Sequence, residues 1–229
     1  MAEPVLHYHP LSSYCWKATI AVDALGADVR KQLLDLADPA RRDAFYALWP
    51  IGRMPVLQDG DRTVPESSII IEYLQQHHAR PGARLIPADA DDALEVRLWD
   101  RFFDLYVMNP MQAHTADLLK PEGRHDPEGV AQARDLIERS YAILERHLDG
   151  RTWMVADAFS MADCSAAPAL FYAVTYVPPS PGQVHLAAYI ERLMDHPAVA
   201  ATIDQARDWF KFYPGRAGLS RRYHDPEEH

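Results

Sequence analysis

The chain has 229 residues, 48% of them hydrophobic and 24% charged, and its formal net charge is −10 at pH 7. This size and composition are typical of one large or two small globular domains with a buried core. The negative charge disfavours nucleic acid as a partner. No apolar run approaches the roughly 20 residues that span a bilayer, and the start "MAEPVLHYHP" lacks the pattern of a signal peptide. We therefore expect a cytoplasmic protein with no membrane partner.

The first 80 residues alternate between short apolar runs and helical patterns. Gly26 follows the first helical pattern as a C-cap, and Asp59 with Gly60 predicts a tight turn between two strands. The predicted order is β-α-β-α-β-β-α. The strands fall within residues 4–9, 29–36 and the hairpin 55–66, and the helices within residues 14–27, 39–49 and 66–79.

A linker follows, marked by Pro81, Gly82 and Pro87 over residues 81–89. The remaining residues, 90–229, carry helical patterns and no convincing strand, and Pro110 is expected to kink or end the first long helix. The sequence thus predicts a small α/β domain over residues 1–80 and an all-helical domain after the linker. The helical patterns cover residues 91–112, 130–148, 159–174, 182–196 and 197–213, ahead of a polar tail whose apolar residues can fold back over a cleft.

The stretch "SSYCWK" begins where the first strand ends and the first helix starts. By position alone, Ser12 or Ser13 is expected to cap the helix. The same geometry favours a bound anion, because a helix N-terminus offers free N–H groups and a partial positive charge. A hydroxyl there can donate to a thiolate. Cys15 lies one turn further in, where a thiol either has a lowered pKa or packs into the core.

Two later motifs also have a structural and a functional interpretation. Glu66 and Ser67 open a helix, where they either cap it or bind the ammonium and carboxylate of an amino-acid-like ligand. In "GRMPVL", residues 52–57, the proline starts a strand, and the residues alone do not indicate a cis bond.

Two further patterns are interpreted as structural. Ser160 and Asp163 form a capping box, which is a folding device. Neither the histidines nor the two cysteines, Cys15 and Cys164, have the spacing of a metal site. We therefore expect no metal.

The order and spacing of these motifs resemble those of the cytosolic glutathione S-transferase family. "SSYCWK" follows a strand, "GRMPVL" comes about 40 residues later, "VPESSIIIEYL" follows, and an "SMAD" box lies in the helical part. The likeness covers nearly the whole chain, and it is to serine-type, bacterial-like members, with some features of the zeta and theta classes. It implies a thioredoxin-like N-terminal domain, an all-α helical-bundle C-terminal domain, glutathione as co-substrate and a homodimer.

The resemblance also implies roles for individual residues. Ser12 matches the serine that lies near the glutathione sulfur, with Ser13, Tyr8 and Cys15 as alternatives. Pro55 matches a cis-proline, and the residue before it pairs with the cysteinyl unit of glutathione through its backbone. The positions that match glutathione-binding residues are Arg53, Met54, Pro55, Glu66 and Ser67.

The function implied is a glutathione transferase, which activates the glutathione thiol as a thiolate for attack on a small hydrophobic electrophile. Tyr106 and Met108, on the first helix of the helical domain, are expected in the electrophile pocket. Asp100 and Asp104 are expected in exposed salt bridges or near a partner subunit's glutathione. Three other functions stay open: an isomerase similar to maleylacetoacetate isomerase, a redox enzyme acting through Cys15, and a glutathione-binding module without catalysis.

Overall fold

The computed structural model describes residues 3–224. An α/β part with the order β-α-β-α-β-β-α is followed by helices alone, so the predicted fold class is confirmed. Within the described residues, no helix has the length and apolar character needed to cross a membrane. The elements are β1 (Val5–Tyr8), α1 (Ser13–Leu25), β2 (Arg30–Leu33), α2 (Pro39–Leu48), β3 (Val56–Asp59), β4 (Arg62–Pro65), α3 (Ser67–His77), α4 (Ala90–Phe102), α5 (Asn109–Leu118), α6 (Pro127–His147), α7 (Met161–Ala173), α8 (Val184–Asp195), α9 (Pro197–Ala206) and α10 (Arg221–His224).

The four strands form one mixed sheet in the order β2-β1-β3-β4. β1 runs parallel to β2, with Val5 opposite Arg30, and antiparallel to β3, with Leu6 opposite Leu57. A tight turn joins β3 to β4, and Gly60 occupies it with a φ of 57°, a backbone conformation that glycine adopts without a steric penalty. The turn predicted from Asp59 and Gly60 therefore lies where the sequence indicated.

Helix α1 is one of the elements through which the two halves of the molecule contact each other. It packs on α3 of the α/β part and on α7 of the helical part. Its Trp16 is almost fully buried, and the indole ring lies 4.7 Å from the ring of Phe171 and 5.2 Å from that of Tyr172. One continuous hydrophobic core therefore includes side chains from both halves.

The capping box at the start of α7 is present, as predicted. Asp163 accepts hydrogen bonds from the backbone N–H and the hydroxyl of Ser160, and also from Met154 N–H and the Tyr189 hydroxyl. Burial raises the pKa of this carboxyl, and these four donors oppose the rise. Asp163 therefore fixes α8 and the loop before α7, in addition to capping the helix.

The segment between α3 and α4 is fastened to both halves. Gln75 on α3 accepts hydrogen bonds from the N–H groups of Leu85 and Ile86 at 2.7 and 2.8 Å. The carbonyl of Leu85 accepts from Met161 N–H at the start of α7. Because Leu85 and Ile86 are also buried, the predicted linker region holds the two halves in a fixed arrangement.

The first long helix changes type ahead of Pro110. A π-helical segment, Phe103–Met108, joins α4 to α5, and the proline lies in the first turn of α5, where the helix tolerates it. The expected break is therefore a change of helical pitch. On α4, Leu94 and Leu98 are 66% and 62% exposed.

The last described residues pack on the helical half, where the Tyr223 ring lies 5.0 Å from that of Phe171. A 3₁₀ segment, Arg207–Phe212, follows α9, and a short second one, Arg216–Gly218, precedes α10. Residues 225–229 of the predicted tail lie outside the described residues.

Candidate active site

A cleft of about 500 Å³ lies between the α/β part and the helix that contains α4 and α5. Strand ends and helix N-termini supply one wall, and the π-helical segment and α5 supply the other. Both walls are rich in charged and polar side chains, which suits a polar ligand. The lining residues are Ser12, Tyr14, Trp49, Gly52, Arg53, Met54, Pro55, Glu66, Ser67, Arg101, Asp104, Leu105, Asn109 and Gln112.

Ser12 lies at the N-cap of α1. Its Oγ accepts a hydrogen bond from Cys15 N–H at 3.3 Å, while its backbone is extended. The free N–H groups of the first helical turn and the positive end of the helix dipole therefore lie at the edge of the cleft. The capping role expected from the sequence is present, and the hydroxyl proton remains available for a ligand acceptor.

The three alternative groups lie in different surroundings. Ser13 is buried, and its Oγ accepts from Gln112 Nε2 at 3.0 Å. Cys15 is fully buried, and burial raises the pKa of its thiol to about 12. Tyr8 packs against the core, and burial raises the pKa of its phenol. Of these four candidates, Ser12 is the one that lines the cleft.

The Met54–Pro55 peptide bond is cis, as the resemblance implied. Both residues line the cleft together with Arg53. The preceding Gly52 has a φ of 69°, and a Cβ there would come within 2.4 Å of the Tyr46 ring. Only glycine fits this close approach without displacing Tyr46. The loop before β3 is thereby held with its backbone against the cleft.

Glu66 and Ser67 lie at the start of α3 and line the same cleft. Glu66 has a φ of 68°, which is uncommon for a residue other than glycine. Strained backbone of this kind is concentrated at ligand-binding positions. The N-terminus of α3 offers free N–H groups for a carboxylate, and the Glu66 carboxylate lies beside it for an ammonium.

A buried charge cluster, formed by Lys17, Ser68, Asp100 and Asp104, lies behind the cleft. Lys17 is fully buried, and its Nζ lies 2.6 Å from Asp100 Oδ1 and 3.0 Å from Asp104 Oδ2. Lys17 also donates to Ser68 Oγ, which in turn donates to Asp100 Oδ2 at 2.7 Å. The expectation of exposed salt bridges for Asp100 and Asp104 was therefore wrong, because both carboxylates turn inward to a cation that the sequence analysis missed.

Asp104 connects this cluster to the cleft. Its Oδ2 also accepts from Arg101 Nη1 at 3.1 Å, and Asp104 and Arg101 both line the cleft. Burial raises the pKa of the Asp104 carboxyl, and the charge of Lys17 opposes that rise. The cluster joins α1, α3 and the π-helical segment, so it fixes the distance between the two walls of the cleft.

Two largely apolar cavities adjoin the cleft at Ser12, with volumes of about 640 and 390 Å³. Neither expected electrophile-pocket residue lines them or the cleft. Met108 is fully buried in the core, and Tyr106 is 45% exposed and packs against Phe102. The π-helical segment instead presents Leu105 to the cleft, and α5 presents Asn109 and Gln112. The sequence analysis named none of these three as site residues.

Models of the N-terminal and C-terminal domains of glutathione S-transferases match residues 6–82 and 127–214. The chain belongs to the glutathione S-transferase family. A glutathione S-transferase-like protein of a Fusarium species is 31% identical over 137 residues, which are 58% of this chain and 60% of that protein. Glutathione S-transferase 3 of Zea mays is 29% identical and covers 89% of this chain and 94% of its own length.

A solved glutathione S-transferase of Methylobacillus flagellatus, with glutathione bound, is 27% identical to this family member, with a TM-score of 0.79. The match covers 87% of this chain and 98% of that one. Relatives with other names also match. Maleylacetoacetate isomerase of Rattus norvegicus is 28% identical over 72% of this chain and 76% of its own. Elongation factor 1-gamma of Danio rerio is 28% identical over 75% of this chain and 38% of its own.

The family assignment agrees with the composition of the cleft. Glutathione carries two carboxylates, one ammonium and one thiol. Arg53 and Arg101 are cationic, Glu66 and Asp104 are anionic, and two helix N-termini meet there. Within residues 3–224, no group of three or more His, Cys, Asp or Glu side chains is arranged to hold a metal ion.

Proposed function

We propose that this protein is a glutathione transferase in which Ser12 stabilises the thiolate of bound glutathione. The observation that supports this most directly is the position of Ser12, at the N-terminus of α1 and on the cleft that Arg53, Met54, Glu66 and Ser67 also line. In the proposed complex, Ser67 and the α3 N-terminus hold the γ-glutamyl carboxylate, and Glu66 faces the ammonium. The Met54 backbone pairs with the cysteinyl unit, and Arg53 faces the glycyl carboxylate.

The groups around Ser12 are sufficient to lower the pKa of the glutathione thiol by the required amount. A free cysteine thiol has a pKa of about 8.5, so only a few per cent is thiolate at neutral pH. A decrease of about two units corresponds to roughly 2.7 kcal/mol. A charge-assisted hydrogen bond from the Ser12 hydroxyl and the dipole of α1 together supply a free energy of this size.

The thiolate then attacks an electrophilic carbon held in the apolar cavities beside Ser12. A sulfur–carbon bond forms and either a leaving group departs with its electron pair or, at an activated double bond, the electrons move to a carbonyl oxygen. Ser12 forms no covalent bond in either case. A redox function through Cys15 is disfavoured, because its thiol is fully buried and its pKa is raised to about 12.

An isomerase function is the second candidate, favoured by the match to the isomerase of Rattus norvegicus. It would begin with the same thiolate, which adds to a carbon–carbon double bond. Rotation about the resulting single bond and expulsion of the thiolate would then complete the isomerisation. A cis α,β-unsaturated dicarbonyl compound that changes to the trans isomer without consuming glutathione would identify this activity.

A spectroscopic titration tests the proposed function. Glutathione is added to the protein across a range of pH while the ultraviolet absorbance of the thiolate is followed, with S-methylglutathione, which has no thiol, as the control ligand. We expect the bound thiol to have a pKa about two units below the free value. Binding without a shift would indicate a binding module, and absence of binding would contradict a glutathione-dependent function.

We also propose a homodimer formed through the exposed apolar face of α3 and α4. Ile69, Leu94 and Leu98 are each more than half exposed, and exposed large apolar side chains are a feature of protein interfaces. Leu105, further along the same helix, lines the cleft, so the second copy would lie close to bound glutathione.

A charge placed on this face is expected to dissociate the dimer. Leu98→Glu would bury a carboxylate in the interface, so the variant should sediment as a monomer at concentrations at which the wild type is a dimer. Val184→Glu, a change at a similarly exposed apolar residue on α8, is the matched control and should leave the mass unchanged. A wild-type monomer would contradict the proposed dimer.

A further inference from the structure

Three separate spaces meet at Ser12. The first is the polar cleft described above. The second, named here the Trp209 lobe, has a volume of about 640 Å³ and lies between the turn before α1, the loop after β2 and Trp209. The third, named here the Tyr213 lobe, has a volume of about 390 Å³ and lies between the same turn, α5 and Tyr213. Both volumes are within the range of small-molecule sites.

The shared wall residues show that the two lobes and the cleft all adjoin one another at Ser12. Of the described residues, Ser12 alone lines the cleft and both lobes. Met54 lines the cleft and the Trp209 lobe, and Gln112 lines the cleft and the Tyr213 lobe. Leu11 lines both lobes. A sulfur atom held at Ser12 would therefore face the place where the two lobes meet.

The walls of the Trp209 lobe are mainly apolar and uncharged. The His9 ring packs edge-to-face on Trp209 at 5.0 Å, and its Nδ1 accepts from Leu11 N–H at 3.2 Å. Burial lowers the pKa of His9, which favours the uncharged form of its ring. Leu34 and Leu36 complete it, while Asp35 and Arg41, which also line the lobe, are exposed to solvent.

Several polar groups around the Tyr213 lobe are bonded to protein partners, although the buried Tyr172 hydroxyl, on another lining residue, has none. The Tyr213 hydroxyl pairs with Thr175 Oγ1 at 2.8 Å, and Thr115 Oγ1 pairs with the Tyr176 hydroxyl at 2.9 Å. Because these hydroxyls are hydrogen-bonded to one another, the surface that these residues offer a ligand consists mainly of carbon atoms. Leu119 and Phe212, which line the lobe, are 70% and 64% exposed. A third polar side chain, Gln112, donates to Ser13.

The geometry points to a substrate class: an electrophile with two aryl or other bulky apolar arms, one directed into each lobe, and its reacting region between them at Ser12. This inference rests on the proposed function, because it takes the glutathione sulfur to lie at Ser12. Two arms would exclude water from both sides of the sulfur, whereas a single arm would leave one lobe filled with solvent.

Two matched enones test this. 1,3-Diphenylprop-2-en-1-one has a phenyl group at each end of the enone, and 4-phenylbut-3-en-2-one has a methyl group in place of one phenyl. In both, the thiolate adds to the carbon β to the carbonyl, the double-bond electrons move to the carbonyl oxygen, and the enolate takes a proton from solvent. With each rate divided by its uncatalysed rate, the diphenyl compound should have a kcat/KM about tenfold higher or more, since each buried apolar group adds to discrimination.

Two small exposed residues allow each lobe to be filled separately. Ala37 lines the Trp209 lobe and Ala116 lines the Tyr213 lobe, and a larger side chain at either exposed position requires no repacking of the core. Ala37→Trp and Ala116→Trp should each lower kcat/KM for the diphenyl enone by about tenfold. Each should spare the monophenyl enone, because its single ring can use the lobe that remains, and only the double variant should lower both.

Glutathione affinity, measured calorimetrically in every variant, separates this inference from the function on which it rests. One outcome would overturn the two-lobe inference and leave the transferase function intact. In it, a single variant binds glutathione with unchanged affinity and still turns over the monophenyl enone, but its kcat/KM falls equally for both enones. An effect from one of the two variants alone would also overturn it, since one lobe would then suffice. Failure of glutathione to bind the wild type would instead contradict the proposed function.

Discussion

Ser12→Ala is expected to raise the pKa of the bound glutathione thiol by about one to two units, because a hydrogen bond to a charged acceptor contributes about 1.5–3 kcal/mol and one pKa unit corresponds to 1.36. From a wild-type pKa of about 6.5, this shift should lower kcat/KM at pH 7 by about three- to 25-fold, in proportion to the thiolate fraction. The pKa is measured from thiolate absorbance, and kcat/KM from initial rates across pH. Above about pH 9 the deficit should shrink, since the thiol then ionises without help.

The neighbouring groups supply matched controls for this substitution. Ser13→Ala, Tyr8→Phe and Cys15→Ala each remove a single polar group near Ser12, and none of the three residues lines the polar cleft. Each should shift the bound thiol's pKa by much less than Ser12→Ala does. Equal shifts in Ser12→Ala and Ser13→Ala would contradict the assignment of the thiolate contact to Ser12.

Lys17→Met is expected to reduce the free energy of unfolding by about 3–5 kcal/mol, the usual loss when one partner of a buried ion pair is removed. Methionine replaces the aliphatic chain but removes the cation from the buried Asp100 and leaves Asp104 with the partly exposed Arg101 as its cationic partner. Urea denaturation at pH 7 measures the loss. Lys31→Met is the matched control, because its pair with Asp23 is partly exposed and contributes about 0–1 kcal/mol.

The destabilisation of Lys17→Met is expected to change with pH in one direction. Burial already raises the Asp104 pKa, and removing the opposing charge of Lys17 would raise it further. The folded variant then binds protons more tightly than the unfolded chain, so its stability decreases as pH rises from about 4 towards that raised pKa. Lys17→Met should therefore be less destabilised at pH 5 than at pH 8. A loss no larger than that of Lys31→Met would show that the cluster contributes little.

The α/β order and the capping positions could be predicted from the sequence because their signals are local. The turn at Asp59 and Gly60, the cap at Ser12 and the box at Ser160 and Asp163 each depend on residues within a few positions of one another. The cis bond before Pro55 was predicted from the family resemblance, because the local residues gave no indication of it. The positions of Glu66 and Ser67 on the cleft likewise followed from the order of motifs.

The buried charge cluster could not be predicted in this way. Lysine is rarely buried, and the carboxylates that neutralise Lys17 lie more than 80 positions further along the chain. The available hint was the surroundings of Lys17, since it stands among consecutive apolar residues in α1. Its burial depends on the packing of α1 against α3 and α7 and on carboxylates supplied by α4 and the π-helical segment, which are tertiary properties.

The faces of residues 103–112 could not be assigned from the sequence. An α-helix has 3.6 residues per turn, but residues 103–108 form a π-helix, in which each hydrogen bond spans one additional residue. The side chains of this segment and of the helix after it are therefore rotated relative to a continuous α-helix. Met108 turns into the core, and Leu105, Asn109 and Gln112 reach the cleft.

The packing of Trp16 on α7 has a consequence for synthesis of the chain on the ribosome. Trp16 emerges about 150 residues before Phe171, the ring on which it packs, and at roughly 5–20 residues per second this interval is about 8–30 s. During that interval the nascent α/β part presents the apolar face of α1, and Lys17 has no carboxylate partner until Asp100 and Asp104 have been made. Its native structure is completed only when α7 has been made, so the exposed helix is a substrate for chaperones until then.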